Sequence, residues 1–223
     1  MRYTHILLDH DGVLVDTEPL YFRATREELA EHGVPIAEAE FLALQADGRT
    51  AWGQMAAAGY SAEEVDQARA RRNARYQQLL CTESIDIPGV ADTLAQLKNR
   101  FRLAIVTTAR PQDFNLIHYG EVSPARDAQP RRAIVEHMDF VLVNGDYGRS
   151  KPAPDPYLAG LERFGITASQ ALVVEDSERG LKAAVAAGID CAVVHHPFTA
   201  TQCFDGAAYR LQTFSELLEI VHG

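Results

Sequence analysis

The sequence predicts an α/β fold in which a parallel-sheet core is interrupted by an all-helical insertion. Two observations carry that expectation. Short apolar runs, Ile6-Leu7-Leu8, Leu103 to Val106, Phe140 to Val143, Ala171 to Val174 and Cys191 to Val194, read as buried strands, and helical patterns separate most of them, as parallel strands require. Between the first and second runs, about Thr17 to Ser84 holds several helical patterns and no convincing strand. The expected division is a core of residues 1–16 and 85–223 with a helical unit of residues 17–84. With 223 residues, 47% of them hydrophobic, the chain can bury a core of that size.

Each element has a local reason. The strand Tyr3 to Leu8 stops at the charged Asp9. In the insertion, Pro19 to Glu31 sets Leu20, Ala24 and Glu28 at four-residue spacing before Gly33, and Ser61 with Glu64 forms a capping box for a helix running toward Leu80. Pro88-Gly89 marks the return to the core. Ser123 to Glu136, with two prolines and three arginines, reads as a surface loop containing one short helix. Asp155-Pro156 supplies an N-cap and a first-position proline for a helix carrying Leu158 and Leu161 on one face and stopped by Gly165. Ser177 precedes a helix through Leu181, Ala184 and Val185 that ends at Gly188.

Composition narrows the partners. A formal charge of −10 argues against a surface built for nucleic acid or anionic lipid, so an anionic substrate must be met locally, by a metal or a few basic groups. Cys81, Cys191 and Cys203 lack the paired spacing of a zinc or redox site and read as ordinary reduced residues, which points to a cytoplasmic location. Met1 to Asp11 reaches charge too early for a signal peptide, and no apolar run is long enough to span a membrane. A monomer is the expected state.

The residues that carry chemistry follow the predicted strands. Asp9-His10-Asp11-Gly12-Val13 places two carboxylates and a turn-permitting glycine at the carboxyl edge of the first strand, where parallel sheets bind ligands. Thr107 and Thr108 end the second strand, and a helix starting near Pro111 follows, so hydroxyls and free backbone N–H groups face the positive end of a helix dipole. Ser150 to Asp155 fixes Lys151 in a proline-bounded segment, and Glu175-Asp176 sets two acids after a further strand. Taken singly, each has a plain alternative as a cap, a turn or an exposed lysine.

Taken together and in this order, Asp9/Asp11, Thr107, Lys151 and Glu175/Asp176 resemble the four motifs of the haloacid dehalogenase superfamily. The strings Asp16-Thr17-Glu18-Pro19, Lys151 to Asp155 and Gly180 to Gly188 look like its branch with a helical cap after the first strand. The resemblance spans Asp9 to Gly188. It implies a Rossmann-like core with an inserted helical cap domain, and a Mg²⁺-dependent phosphatase acting on a small phosphorylated metabolite through an aspartyl phosphate. By the same resemblance, Asp9 is the nucleophile and Asp11 the acid and base. Thr107, Thr108 and nearby N–H groups hold the transferring oxygens, and Lys151 balances charge. Asp9, the Asp11 carbonyl and Asp176 hold the metal, with Glu175 a direct or water-mediated ligand. His10 stands where the branch commonly has a large apolar or aromatic residue, and its side chain is expected to point away from the phosphate.

Asp47-Gly48-Arg49-Thr50 lies where capped relatives carry a specificity loop. Arg49 is therefore a candidate contact to the leaving group, with a helix-entry turn capped by Thr50 as the competing reading. Arg69, Arg71, Arg72 and Arg75 read as a solvated face paired with Glu63, Glu64 and Asp66, and His195-His196 as loop residues without a nearby acidic partner in sequence. The resemblance leaves two rivals, a sugar-phosphate mutase using the same residues and a non-catalytic protein that keeps the fold. Dehalogenation and phosphonate hydrolysis are disfavoured by Asp11.

Overall fold

The computed structural model describes residues 2–120 and 132–222. Within them, five strands fall on the predicted apolar runs: β1 (His5–Leu8), β2 (Arg102–Val106), β3 (Phe140–Leu142), β4 (Ala171–Glu175) and β5 (Asp190–Val194). A further strand, β6 (Tyr209–Leu211), has no apolar run to announce it and is placed by pairing with β5. All six pair in parallel in the order β3-β2-β1-β4-β5-β6, so the strand order reverses direction between β1 and β4. Ligands of open parallel sheets bind at the carboxyl edge of such a switch point.

Helices α1 (Glu18–Glu31), α2 (Glu38–Ala46), α3 (Gly53–Ala57) and α4 (Ala62–Thr82) lie between β1 and β2. Helices α5 (Val90–Leu97), α6 (Pro111–Tyr119), α7 (Arg132–Glu136), α8 (Asp155–Phe164), α9 (Glu178–Ala186) and α10 (Leu217–His222) cover the sheet. Helix α7 falls in the irregular stretch of residues 123–136, whose residues 123–131 lie outside the described part.

The strands alternate side chains between two apolar layers, as period-two geometry dictates. Ile6, Leu8, Leu103, Ile105 and Val174 pack with Leu94, Phe114 and Leu217 on one side, while Leu7, Ala104, Val106 and Val173 pack with Tyr157, Leu161 and Leu181 on the other. The four helices after β1 have a cluster of their own, built from Phe22, Leu29, Phe41, Trp52, Met55, Val65 and Ala68, which Phe198 of the core joins.

Ser61 and Glu64 form the expected capping box at the start of α4. Some local expectations fail. Asp155 is the first residue of α8 and Pro154 its cap, because the Asp155 carboxylate turns back to accept from the Arg149 backbone N–H at 2.8 Å. Leu158 and Val185 are exposed, and Tyr157 with Leu161 forms the buried face of α8. Thr50 caps no helix, since α3 begins at Gly53 with Trp52 at its N-cap.

Candidate active site

The strand registers bring the predicted chemical residues to one edge. Leu8 lies opposite Ile105 on β2 and Val174 on β4, so the next residue, Asp9, sits level with Val106 and Glu175. The Asp9 backbone N–H donates to the Val174 carbonyl at 2.9 Å, which continues the ladder into the motif. Gly12 then turns the chain at a φ of +79°, with its N–H on the Val15 carbonyl. A β-carbon at Gly12 would meet Asp176 Oδ2 at 2.2 Å, so a side chain is excluded there twice over, by backbone conformation and by space.

Lys151 is the hub. Its ammonium donates to Asp9 Oδ1 at 2.9 Å, Glu175 Oε1 at 2.7 Å and the Val106 carbonyl at 2.9 Å, so each of its three protons has a buried acceptor. Burial by itself opposes the charge, but Asp9 and Glu175 outweigh it and hold the ammonium protonated well above the ordinary lysine range. Glu175 has both oxygens occupied. Tyr157 donates to Oε1 at 2.6 Å and the Ser177 hydroxyl to Oε2 at 3.0 Å. Against the cost of burial, Lys151 and these donors keep Glu175 ionised, below its usual range. Gly180 makes room for it, since a β-carbon there would lie 1.9 Å from the Glu175 carboxyl.

Asp9 and Asp176 are in the opposite condition. Burial, with Glu175 beside it and only Lys151 in compensation, pushes Asp9 up to about 7. Burial followed by Glu175, Glu18 and Asp9 raises Asp176 well above the carboxylate range. Asp9, Glu175 and Asp176 offer oxygens all within 4.8 Å of one another, and all three residues are buried. Three clustered carboxylates, with one ammonium bonded to two of them, leave an excess of two negative charges when ionised. A divalent cation with oxygen ligands neutralises that excess and removes the strain on Asp9 and Asp176, so the donor set fits Mg²⁺.

Asp11 points into the cleft and is only partly buried. Burial would raise it, but His10 beside it, with donated hydrogen bonds from Thr17 and Thr107, holds it well below the usual range. His10, expected from the sequence to point away from the phosphate, is fully buried and makes polar contacts of its own. Its Nε2 lies 2.9 Å from His118 Nε2 in a buried pair, and its Nδ1 lies 3.4 Å from Asp11 Oδ2. Thr107 also accepts from the Ala109 N–H at 3.0 Å, which folds the loop before α6 toward the site.

A cleft of about 270 Å³ opens beside Asp11, lined by Thr17, Glu18, Gln45 and Tyr76 from the helical insertion and its approach, and by Thr108, Arg110, Ser150 and Arg179 from the core. Arg49 is exposed at a smaller neighbouring pocket and does not line this cleft. Residues that the motifs did not single out include Tyr157 and Arg179, whose Nη2 donates to Thr108 Oγ1 at 3.2 Å. No local pattern marks Tyr157; Arg179 is detectable only as a basic residue in the first turn of α9, where the helix dipole disfavours one.

The arginine face of α4 is partly corrected. Arg69 does pair with Asp66, but Arg71 and Arg75 reach across to Glu28 and Glu31 of α1, and Arg72 is buried. His196 finds the acidic partner that its neighbours in sequence lack, Asp16 at 3.1 Å. Cys81, Cys191 and Cys203 are free. No helix among the described residues is long and apolar enough to cross a membrane.

The chain matches the family model described as haloacid dehalogenase-like hydrolase over residues 3–188. It is 29% identical to a phosphorylated carbohydrates phosphatase of Thermotoga maritima, with 97% of each chain covered. It is 28% identical to the fructose-1-phosphate phosphatase YqaB of Escherichia coli over 85% of this chain and 95% of that one. The crystal structure of CbbY from Rhodobacter sphaeroides in complex with phosphate superposes with a TM-score of 0.74 at 28% identity, covering 97% of this chain and 96% of that one. With these matches spanning the strands, the four motifs and the helical insertion, the chain belongs to the haloacid dehalogenase-like hydrolases as a phosphoric monoester hydrolase.

Proposed function

We propose that the chain is a Mg²⁺-dependent phosphatase that transfers the phosphoryl group of a small phosphorylated carbohydrate to Asp9 and then to water. The observation that carries this reading is the buried group of Asp9, Glu175 and Asp176, the first two bonded to Lys151, with Asp11 beside it at the cleft. The carbohydrate comes from the relatives, which are named for phosphorylated sugars.

Asp9, Asp176 and the Asp11 carbonyl would hold Mg²⁺. Glu175, with both oxygens engaged by Lys151, Tyr157 and Ser177, reaches it only through water. When bound, the cation supplies charge that screens the phosphate dianion from an approaching carboxylate. Asp9 Oδ2 is the attacking atom, since Lys151 occupies Oδ1. Asp11 protonates the leaving oxygen, then takes a proton from the attacking water. Its low pKa in the free protein rises when a phosphate dianion docks against it, because like charge disfavours ionisation. Thr107, Thr108 and the N–H groups before α6 hold the transferring oxygens, and Lys151 anchors Asp9. Residues 17–84 act as a cap over the core of residues 1–16 and 85–223, and Arg49, at the neighbouring pocket and outside the cleft lining, meets only a leaving group long enough to reach that pocket.

Release of inorganic phosphate from p-nitrophenyl phosphate, dependent on Mg²⁺ and abolished by a chelator, tests the reading. Loss of phosphate from no member of a sugar-phosphate panel would overturn it. Conversion of β-glucose 1-phosphate to glucose 6-phosphate with a bisphosphate primer, without net phosphate release, would replace hydrolysis by mutase chemistry.

A further inference from the structure

A second pocket, of about 80 Å³, adjoins the cleft and shares Tyr21, Gln45 and Arg179 with it. Its lining contains Arg49, Arg72 and Arg179 and no carboxylate among the described residues, in a chain whose formal charge is −10. Arg72 is 6% exposed, and no carboxylate pairs with it among the described residues. One of its nitrogens donates to Thr25 Oγ1 at 3.3 Å, while its buried Nε has no partner. The guanidinium lies 4.1 Å from the Tyr21 ring centre and 5.5 Å from that of Trp52, so two aromatic rings hold it in place at the pocket wall. Arg179 stands at the junction. It holds Thr108 at 3.2 Å and meets Glu18 only at 3.9 Å, which leaves most of its fork unfilled.

A buried guanidinium with an unfilled donor is costly unless an anion completes it. We propose that this pocket receives a second anionic group, phosphate or carboxylate, carried on the leaving group, with Arg72 and Arg179 as its recognition residues and Arg49 at the rim. The inference rests on the phosphatase reading and narrows its substrate to a small metabolite with two anionic ends. Thr108 and Arg179 join the two subsites, so the distal group sits within a few carbon atoms of the scissile phosphate. Planar guanidinium forks suit either anion through paired N–H···O bonds.

The test compares matched substrates in Mg²⁺: fructose 1,6-bisphosphate against fructose 1-phosphate, and 3-phosphoglycerate against glycerol 3-phosphate. The expected result is kcat/KM about 30-fold higher for the doubly anionic member of at least one pair, the responding pair separating phosphate from carboxylate. In Arg72→Gln, that ratio should collapse toward one. If that variant does not fold, Arg72→Lys and Arg179→Gln carry the same comparison. Calorimetric titration of the same four compounds into Asp9→Asn protein requires no turnover, so tighter binding of the doubly anionic members upholds the pocket even if hydrolysis fails. Wild-type ratios within threefold in both pairs, with equal binding within each pair, would overturn the proposal.

Discussion

Replacing Lys151 by Met removes the cation while keeping most of the side-chain volume. Lys151 is 4% exposed, and its ammonium satisfies Asp9, Glu175 and the Val106 carbonyl at 2.7–2.9 Å. The variant leaves two buried carboxylates facing each other with no positive charge between them. Breaking a buried ion pair on one side costs about 3–5 kcal/mol, a large part of the 5–15 kcal/mol that typically holds a domain folded. With a urea dependence of about 2 kcal/mol per molar, the midpoint should fall by about 2 M. The measurement belongs in a chelator at pH 8, where no metal ion can take over the missing charge. Adding Glu175→Gln removes one orphaned charge, so the double variant should recover at least about 1 kcal/mol relative to Lys151→Met alone. A loss below about 1 kcal/mol in the single variant, or no recovery in the double, would refute the role of Lys151 as the charge that permits this acidic cluster to be buried.

The metal-free protein should lose stability as pH rises from about 4 to 7. Asp9 is held near 7 when folded against an ordinary value of 3.8, so in that window the folded state binds the extra proton and the slope of unfolding free energy with pH is negative. Thermal melts with and without Mg²⁺ check the sign, because the cation displaces that proton and should stabilise more at pH 8 than at pH 5. A metal-free Tm that climbs over the window would contradict it. Gly12→Ala should reduce kcat/KM by at least about 100-fold and stability by about 2 kcal/mol, since its β-carbon falls on Asp176 at an unfavourable φ. Kinetics and urea unfolding read the two effects, and near-normal kinetics would show that Asp176 can move aside without loss.

The fold and the core of the site were legible because they rest on local patterns repeated in a fixed order. Buried parallel strands are continuous apolar runs, and Asp9, Thr107 and the Glu175-Asp176 pair stand at their ends, so strand register alone brings Asp9, Val106 and Glu175 level, while Lys151 comes from the loop between β3 and α8. What stayed hidden depends on contacts between distant segments. Tyr209 to Leu211 becomes a strand only because β5 offers an unpaired edge. Arg72 lies on a helix whose other arginines are solvent-facing or paired, and only the packing of Tyr21 and Trp52 reveals that it is buried. His196 with Asp16, and His10 with His118, are pairs made across the fold. Asp155 misleads for a local reason: the same carboxylate can cap its own helix or the preceding turn, and here Arg149 wins it.

The central claim is that Asp9 carries the phosphoryl group between substrate and water. Rapid mixing of the Mg²⁺-loaded protein with a turned-over sugar phosphate, acid quenching, and peptide mass spectrometry measure it directly. The expected result is a phosphoryl adduct on the peptide containing Asp9 in the wild type, and neither adduct nor turnover in a folded Asp9→Asn variant. Substantial turnover by that variant would contradict it.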